Sequence, residues 1–303
     1  MKKLYLFALA LIASATAYAQ QNVSIVWPFS VGGNQVNFIR AIIDEAHKQQ
    51  SKYRFVVEFK SGAGGTVAAQ HVVRDHNQLN LLSSSSSFFV RPVFYPNESH
   101  RTEDFRPVYI ECVGQPMAIL SSKYRTMDEL RQQRRLTIGV GLGSVTEAAA
   151  RELQKHLPNT QLDFIPYGGT LPAVQDVLAG NTDLAASFTS DTRQFVESGK
   201  LNVVGTTGTR DFDGYKTFHS QRIKGFEDLI GNYLIMAPAR ISVQQAEELH
   251  NILRRAAQAS TTLRGFYDAD VCAGVDLTWR QTQDMYQRWQ QYWPEKLQTV
   301  KKQ

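Results

Sequence analysis

With 303 residues, 43% of them hydrophobic and 20% charged, the chain is long enough to bury one large core or two medium ones. Its formal charge of +5 comes down to +3 without the two lysines at the start, which is too weak a surplus to make a polyanion its natural partner. Two cysteines exclude a disulfide-dense scaffold.

In chain order, Lys2 and Lys3 are followed by the apolar run "LYLFALALIA" and by Ala17-Tyr18-Ala19, the three regions of a signal peptide over 1–19, cleaved after Ala19. The run is too short for a spanning helix, and no later stretch reaches about 18 uninterrupted apolar residues. We therefore expect an exported, periplasmic protein with no membrane anchor and no nucleic-acid partner. The basic run Arg131-Gln132-Gln133-Arg134-Arg135 and the tail Lys301-Lys302 read as solvated surface.

"NVSIVW" (22–27) predicts a strand, and the helix after it carries Val36, Ile39, Ile42, Ile43 and Ala46 on one face. "RFVVEF" (54–59) is a second strand, "GAGG" opens a helix through "TVAAQHVVRD", and "LNLL" (79–82) is a third strand ending in the serine run Ser83 to Ser87. "RPVYIECV" and "PMAILS" read as longer extended segments. Thr126 with Glu129 forms a capping box. "LTIGV" (136–140) leads through "GLGS" into a helix from Ser144, and "LDFIPY" (162–167) leads through a Gly pair into a helix over 170–179. "DLAAS" and "LNVVGTT" add two strands, with Gly199 as a C-cap glycine between them. "YLIMAPA" (233–239) is extended, and Ser242 with Gln245 caps an amphipathic helix. An aromatic helix from Thr278 is predicted to break at Pro294. This alternation is that of an α/β architecture. Cys112 and Cys272 fit either a disulfide in an oxidising compartment or two buried thiols.

The recurring unit is strand, glycine pair, helix: Gly32-Gly33, Gly64-Gly65, Gly141-x-Gly143-Ser144 and Gly168-Gly169. Each such turn sets helix N–H groups without intrahelical partners at the carboxyl edge of a sheet, where ligands of open α/β folds bind and the helix dipole favours an anion. Tight-turn geometry alone is the competing account of any single pair. No cation stands out: Arg40 lies about 10 Å down its helix from the first turn, and nothing in the spacing singles out Arg193 or Arg210. Ser144 with Glu147 reads as a capping box, which competes with ligand contact but leaves the N–H groups of that turn pointing outward. The serines 83–87 fit equally a small polar loop and a hydrogen-bonding rim.

Catalytic signatures are poor. The chain has no G-x-S-x-G elbow, H-E-x-x-H, phosphate loop or dinucleotide fingerprint, and His71 and His76 are spaced off a common helix face. No cofactor, metal or catalytic residue is expected.

"PFSVGGNQVNFIR" resembles the "PF-x-PGG-x-x-D-x-x-x-R" opening of the Bug/TctC family, extracytoplasmic receptors of tripartite tricarboxylate transporters. "VVEFKSGAGGTVAAQHV", "EDFRPV" and above all "FIPYGGTLPAVQDVLAGNTDLA" are similar to further segments of that family, so that the resemblance covers essentially the whole chain after the signal segment. It implies a type II periplasmic binding-protein fold of two α/β lobes joined by two crossing strands, with lobe one over 20–118 and 235–303 and lobe two over 119–234. It implies that the turns Phe29–Gly33 and Tyr167–Gly169 hold one carboxylate like pincers. The ligand-contact set so drawn is Phe29, Ser30, Gly32, Gly33, Ser84, Ser85, Ser86, Gly143, Ser144, Tyr167, Gly168, Gly169 and Asp191. Val31 stands for the family's proline, and Val36 for its aspartate, which shifts the expectation slightly toward an apolar or aromatic acid, or toward a receptor without transport partners. The expected protein is a monomeric, non-enzymatic receptor delivering a small organic carboxylate to the membrane subunits of a tripartite transporter. The alternatives are a periplasmic sensor that signals to a kinase, and an exported serine hydrolase, which needs a histidine beside Ser85 or Ser144.

Overall fold

The computed structural model describes residues 20–29, 31, 35–270 and 272–301. The signal segment, and with it Ser30, Gly32 and Gly33 of the first glycine turn, lie outside the described residues.

The alternation in sequence becomes two five-stranded mixed sheets. The first is built from β1 (Gln21–Trp27), β2 (Tyr53–Phe59), β3 (Leu79–Ser85), β4 (Phe105–Gln115) and β10 (Gly231–Pro238) in the order β2-β1-β3-β10-β4. The second holds β5 (Met117–Ser121), β6 (Arg135–Val140), β7 (Gln161–Pro166), β8 (Leu184–Phe188) and β9 (Asn202–Thr206) in the order β7-β6-β8-β5-β9. In each, three strands run parallel and the remaining two are reached through antiparallel pairing: β10 with β3 and β4, β5 with β8 and β9. The sheets thus repeat one topology, and β1 and β2 in the first correspond to β6 and β7 in the second.

The chain crosses between sheets at Pro116, directly from β4 to β5, and returns through a segment without strands that ends at Gly231. The boundaries expected at 118/119 and 234/235 shift accordingly, because Met117 already pairs with Phe188 of the second sheet while Tyr233 and Leu234 pair with Ser85 and Ser84 of the first. The first switch falls at Gly114-Gln115-Pro116, between the two extended segments, and not within the apolar run that follows.

Helices cover the sheets. In α1 (Gln35–Gln49) the expected face is buried, and Phe38 joins it, 5.5 Å from the rings of Phe266 and Tyr267. This helix is wedged between the sheet and α8 (Val243–Ala259), with α9 (Thr261–Asp270) beside it, so more than one of its sides is apolar. The capping box of Thr126 and Glu129 is present. The predicted break at Pro294 is absent: α10 runs Trp279–Lys301 through the proline. Trp293 and Leu297, both buried, flank the proline. Burying two such side chains is worth roughly 2–3 kcal/mol each, enough to offset the roughly 3 kcal/mol cost of an interior proline. Cys112 and Cys272 form a disulfide, Cα–Cα 5.8 Å, that ties β4 to the segment after α9, beside the antiparallel bridge Val113–Ala273.

Candidate ligand-binding cleft

The carboxyl edges of β1, β2, β6 and β7 face one another across a cleft of about 480 Å³ between the two sheets, within the usual range of small-ligand sites. The three glycine turns among the described residues all line it, through Gly62 and Gly64, Gly141, and Gly168 and Gly169. Its walls are largely apolar: Trp27 and Phe29 meet edge to face at 5.2 Å, Phe188 and Tyr233 lie tilted to each other at 5.6 Å, and Leu142, Val145, Pro166 and Leu171 add to the lining.

The two turns of the second lobe use their donors differently. In the first, the Gly141 N–H donates to Thr146 Oγ1 at 3.0 Å, Gly143 N–H to Glu147 Oε2 at 2.5 Å and Ser144 N–H to Gly141 O at 3.0 Å. Thr146 N–H goes to Ser144 Oγ at 3.1 Å and Val145 N–H to Ser87 Oγ at 3.3 Å. The expectation that these N–H groups point outward is therefore corrected, because side chains of the same turn, together with one serine of the other lobe, take them up. Glu147 does not reciprocate the Ser144 cap of α5 (Val145–Lys155); it is buried, and it also accepts from Tyr95 Oη and Arg151. Gly143 lies outside the cleft lining, beneath Arg91, at φ +77°. A Cβ there would come within 2.7 Å of Arg91 Cδ.

The second turn keeps its donors. Tyr167 N–H pairs with Val140 O at 2.9 Å, but among the described residues the N–H groups of Gly168, Gly169, Thr170 and Leu171 have no partner. They form the amino end of α6 (Thr170–Leu178), whose third residue, Pro172, has no N–H to satisfy. Gly168 opens onto free space, since a Cβ there would meet nothing within 4 Å. The Tyr167 hydroxyl donates to Asp176, and burial first, then that bond, pushes its pKa up to about 12, so it stays neutral. The Asp191 carboxylate, in the first turn of α7 (Thr189–Glu197), accepts from the Thr170 hydroxyl at 2.8 Å and also lines the cleft.

Of the expected contact residues, the cleft lining brings together Phe29, Ser85, Ser144, Tyr167, Gly168, Gly169 and Asp191. Ser84 and Ser86 are not in it. Strand alternation explains Ser84, which pairs with Leu234 one place before Ser85. Ser86 holds the second crossing instead: its hydroxyl donates to Ile230 O at 3.2 Å and accepts from the Asn232 N–H at 3.0 Å. The serine run is thus neither loop nor uniform rim, and Ser87, which was not expected, faces the cleft.

Arg91 was missed as well. It lies in α3 (Ser87–Phe94), lines the cleft and is 5% exposed, the one lysine or arginine in that lining among the described residues. Arg193 instead pairs with Asp213 at 2.7 Å, and Arg40 is on the surface. The signal was present: an arginine inside "SFFVRPVF", an otherwise apolar helix, requires a special environment. On the lobe-one wall Gln35 donates through Nε2 to Glu111, which is fully buried and also accepts from Ser83 Oγ at 3.1 Å. Burial pushes the Glu111 carboxyl up to about 8, against the opposing pull of Ser83 and Gln35. No histidine lines the cleft among the described residues; Ser85 Oγ bonds Ser87 Oγ at 3.0 Å, and Ser144 Oγ lies 2.7 Å from Thr146 Oγ1.

This arrangement has counterparts. The family model described as "Tripartite tricarboxylate transporter family receptor" matches residues 38–298. The chain belongs to this receptor family. It is 26% identical over 216 residues to a protein encoded in the tcbD-tcbE intergenic region of Pseudomonas sp. (strain P51), a match covering 66% of this chain and 64% of that protein. Among solved structures it is similar to the periplasmic binding protein BugD, with TM-score 0.82, 23% identity and coverage of 93% of this chain and 98% of that one. It is also similar to MatC of Rhodopseudomonas palustris, solved with bound malate, with TM-score 0.79, 20% identity and coverage of 92% and 99%. The receptor fold is the type II periplasmic binding protein, in which two α/β lobes flank the cleft described above. No helix among the described residues is long and apolar enough to cross a membrane.

Proposed function

We propose that this receptor acts in the periplasm as a monomer, closing its two lobes on a small organic carboxylate and delivering it to the membrane subunits of a tripartite transporter. One observation carries the reading: the unpartnered N–H groups of Gly168, Gly169, Thr170 and Leu171, at the positive end of α6, open into an apolar cleft between two lobes. In such surroundings a carboxylate accepting several directed N–H bonds gains more than it does in water. Micromolar capture requires about −8 kcal/mol, which these bonds and the burial of an apolar ligand body can supply together. Phe29, Tyr167 and Leu171 then clasp the ligand, and Ser85 and Ser144 border it. By the family resemblance, Ser30, Gly32 and Gly33 keep their expected part in holding the same carboxylate.

The test is calorimetric titration with mono-, di- and tricarboxylates against wild type and Gly168→Val. A Cβ at Gly168 meets nothing within 4 Å, so the variant should unfold within about 2 °C of wild type. Its side chain fills the space above the free amides, and affinity should fall at least about 100-fold. Undiminished affinity in a folded Gly168→Val protein would refute the assignment of the carboxylate to this turn.

A further inference from the structure

We propose that Ser87 and Arg91 form a second anion subsite in the cleft, and that the ligand is accordingly a dicarboxylate with an apolar body; this rests on the carboxylate reading of the Gly168–Leu171 turn. Arg91 carries five N–H donors. Among the described residues one of its nitrogens, Nη1, has a hydrogen-bond acceptor, Leu142 O at 3.1 Å. Its Nε is buried without a partner. The nearest carboxylate, Glu98, stands 4.0 Å from Nη2 on a side chain that is 76% exposed, a separation and a setting in which an ion pair contributes little. The Tyr95 ring, 4.6 Å away, covers one face of the guanidinium and satisfies no N–H. A 5%-exposed cation with its Nε unmet and its nearest carboxylate 4.0 Å away is costly unless an anion joins it.

Ser87 completes the subsite. It precedes Arg91 by four positions in α3, so both project from one helix face, and both line the cleft. Its Oγ accepts from Ser85 Oγ at 3.0 Å and from Val145 N–H at 3.3 Å, which leaves its own proton free to donate. A role as an interlobe staple accounts for the Arg91 bond to Leu142 and for its stem lying against Gly64 and Gly143, but not for the unmet Nε or the free hydroxyl. An anion here also sits on the seam between lobes, because Leu142 and Val145 belong to lobe two and α3 to lobe one. The cleft that holds both is lined in large part by apolar side chains, Leu142, Val145 and Phe188 among them, which suits a ligand body of methylene or aromatic carbons.

The experiment titrates succinate through suberate, each beside the straight-chain monocarboxylate of equal length, into wild type, Arg91→Met, Ser87→Ala and Gly168→Val. For the best-fitting length, wild type should prefer the diacid by roughly 10- to 100-fold, the scale of charge-assisted hydrogen bonds. Arg91→Met should reduce that preference to about twofold while leaving the monoacid affinity unchanged, and Ser87→Ala should lower it by about threefold. Thermal unfolding of the ligand-free proteins checks that each variant folds, and should Arg91→Met fail to do so, Ser87→Ala carries the same test. Equal weakening of both acids by these variants, or absence of a diacid preference in wild type, overturns the subsite while monoacid binding that depends on Gly168 leaves the first reading standing. Failure of every acid to bind wild type overturns both.

Discussion

The turns after β6 and β7 lie side by side in one sheet, both glycine-rich, both opening a helix into the same cleft, and they serve opposite ends. Side chains that follow it within a few residues bind the first: Ser144, Thr146 and Glu147 take three of its N–H groups, and Ser87 of the other lobe takes a fourth. The second, "YGGTLP", has no such residues at those offsets, and its N–H groups from Gly168 to Leu171 stay open. A glycine turn becomes an anion site not through its glycines but through the lack of local acceptors. The first turn is a hydrogen-bonded seam between lobes, and under the proposed function the second is the grip.

That contrast can be broken at its seam. Glu147, whose side chain is 1% exposed, binds Gly143, Tyr95 and Arg151 together. Glu147→Gln should cost about 2–4 kcal/mol in urea unfolding and change carboxylate affinity far less than Gly168→Val does; a larger loss of affinity than of stability would erase the distinction between the turns.

A milder probe concerns the lobe-one wall, where burial makes a carboxyl hold its proton. Glu111 keeps its proton up to about pH 8 in the folded state against an ordinary 4.5. The folded protein thus binds one more proton than the unfolded chain between these values. This contribution to stability is full below about 4.5 and declines as pH rises toward 8, by about 1.4 kcal/mol per pH unit. Glu111→Gln should flatten the decline and be more stable than wild type at pH 8; an unchanged slope in unfolding measured from pH 5 to 8 would place that proton elsewhere.

The smallest expected effect is at Ser144, whose oxygen accepts from Thr146 N–H. Ser144→Ala should lose about 1 kcal/mol of stability, the worth of a helix cap, with affinity within about twofold of wild type by calorimetry. A loss confined to affinity would return Ser144 to the ligand.

These differences set how much could be read from the chain alone. The strand–turn–helix units were legible because period and glycine position are local, and so was the convergence of turns, which follows from parallel strands sharing a carboxyl edge. Which donors remain free was not legible in the same way. It depends on where Glu147 turns and on a serine 58 positions from its partner. The serine run was misjudged by one residue because β3 gives way to α3 within it, so that Ser85 and Ser87 face the cleft and Ser86 the crossing. Arg91 is not legible as a cleft residue because it is far in sequence from the turn it meets: helix α3 carries it beneath Gly143 of the other lobe.

The most direct measurement follows the backbone amides themselves in 15N-labelled protein. On saturation with the tightest-binding acid of the titration panel, the amide protons of Gly168, Gly169, Thr170 and Leu171 should move downfield and exchange more slowly, while those of Gly141, Gly143 and Thr146 hold their positions. Shifts confined to the second group, with the first unmoved, would contradict the account.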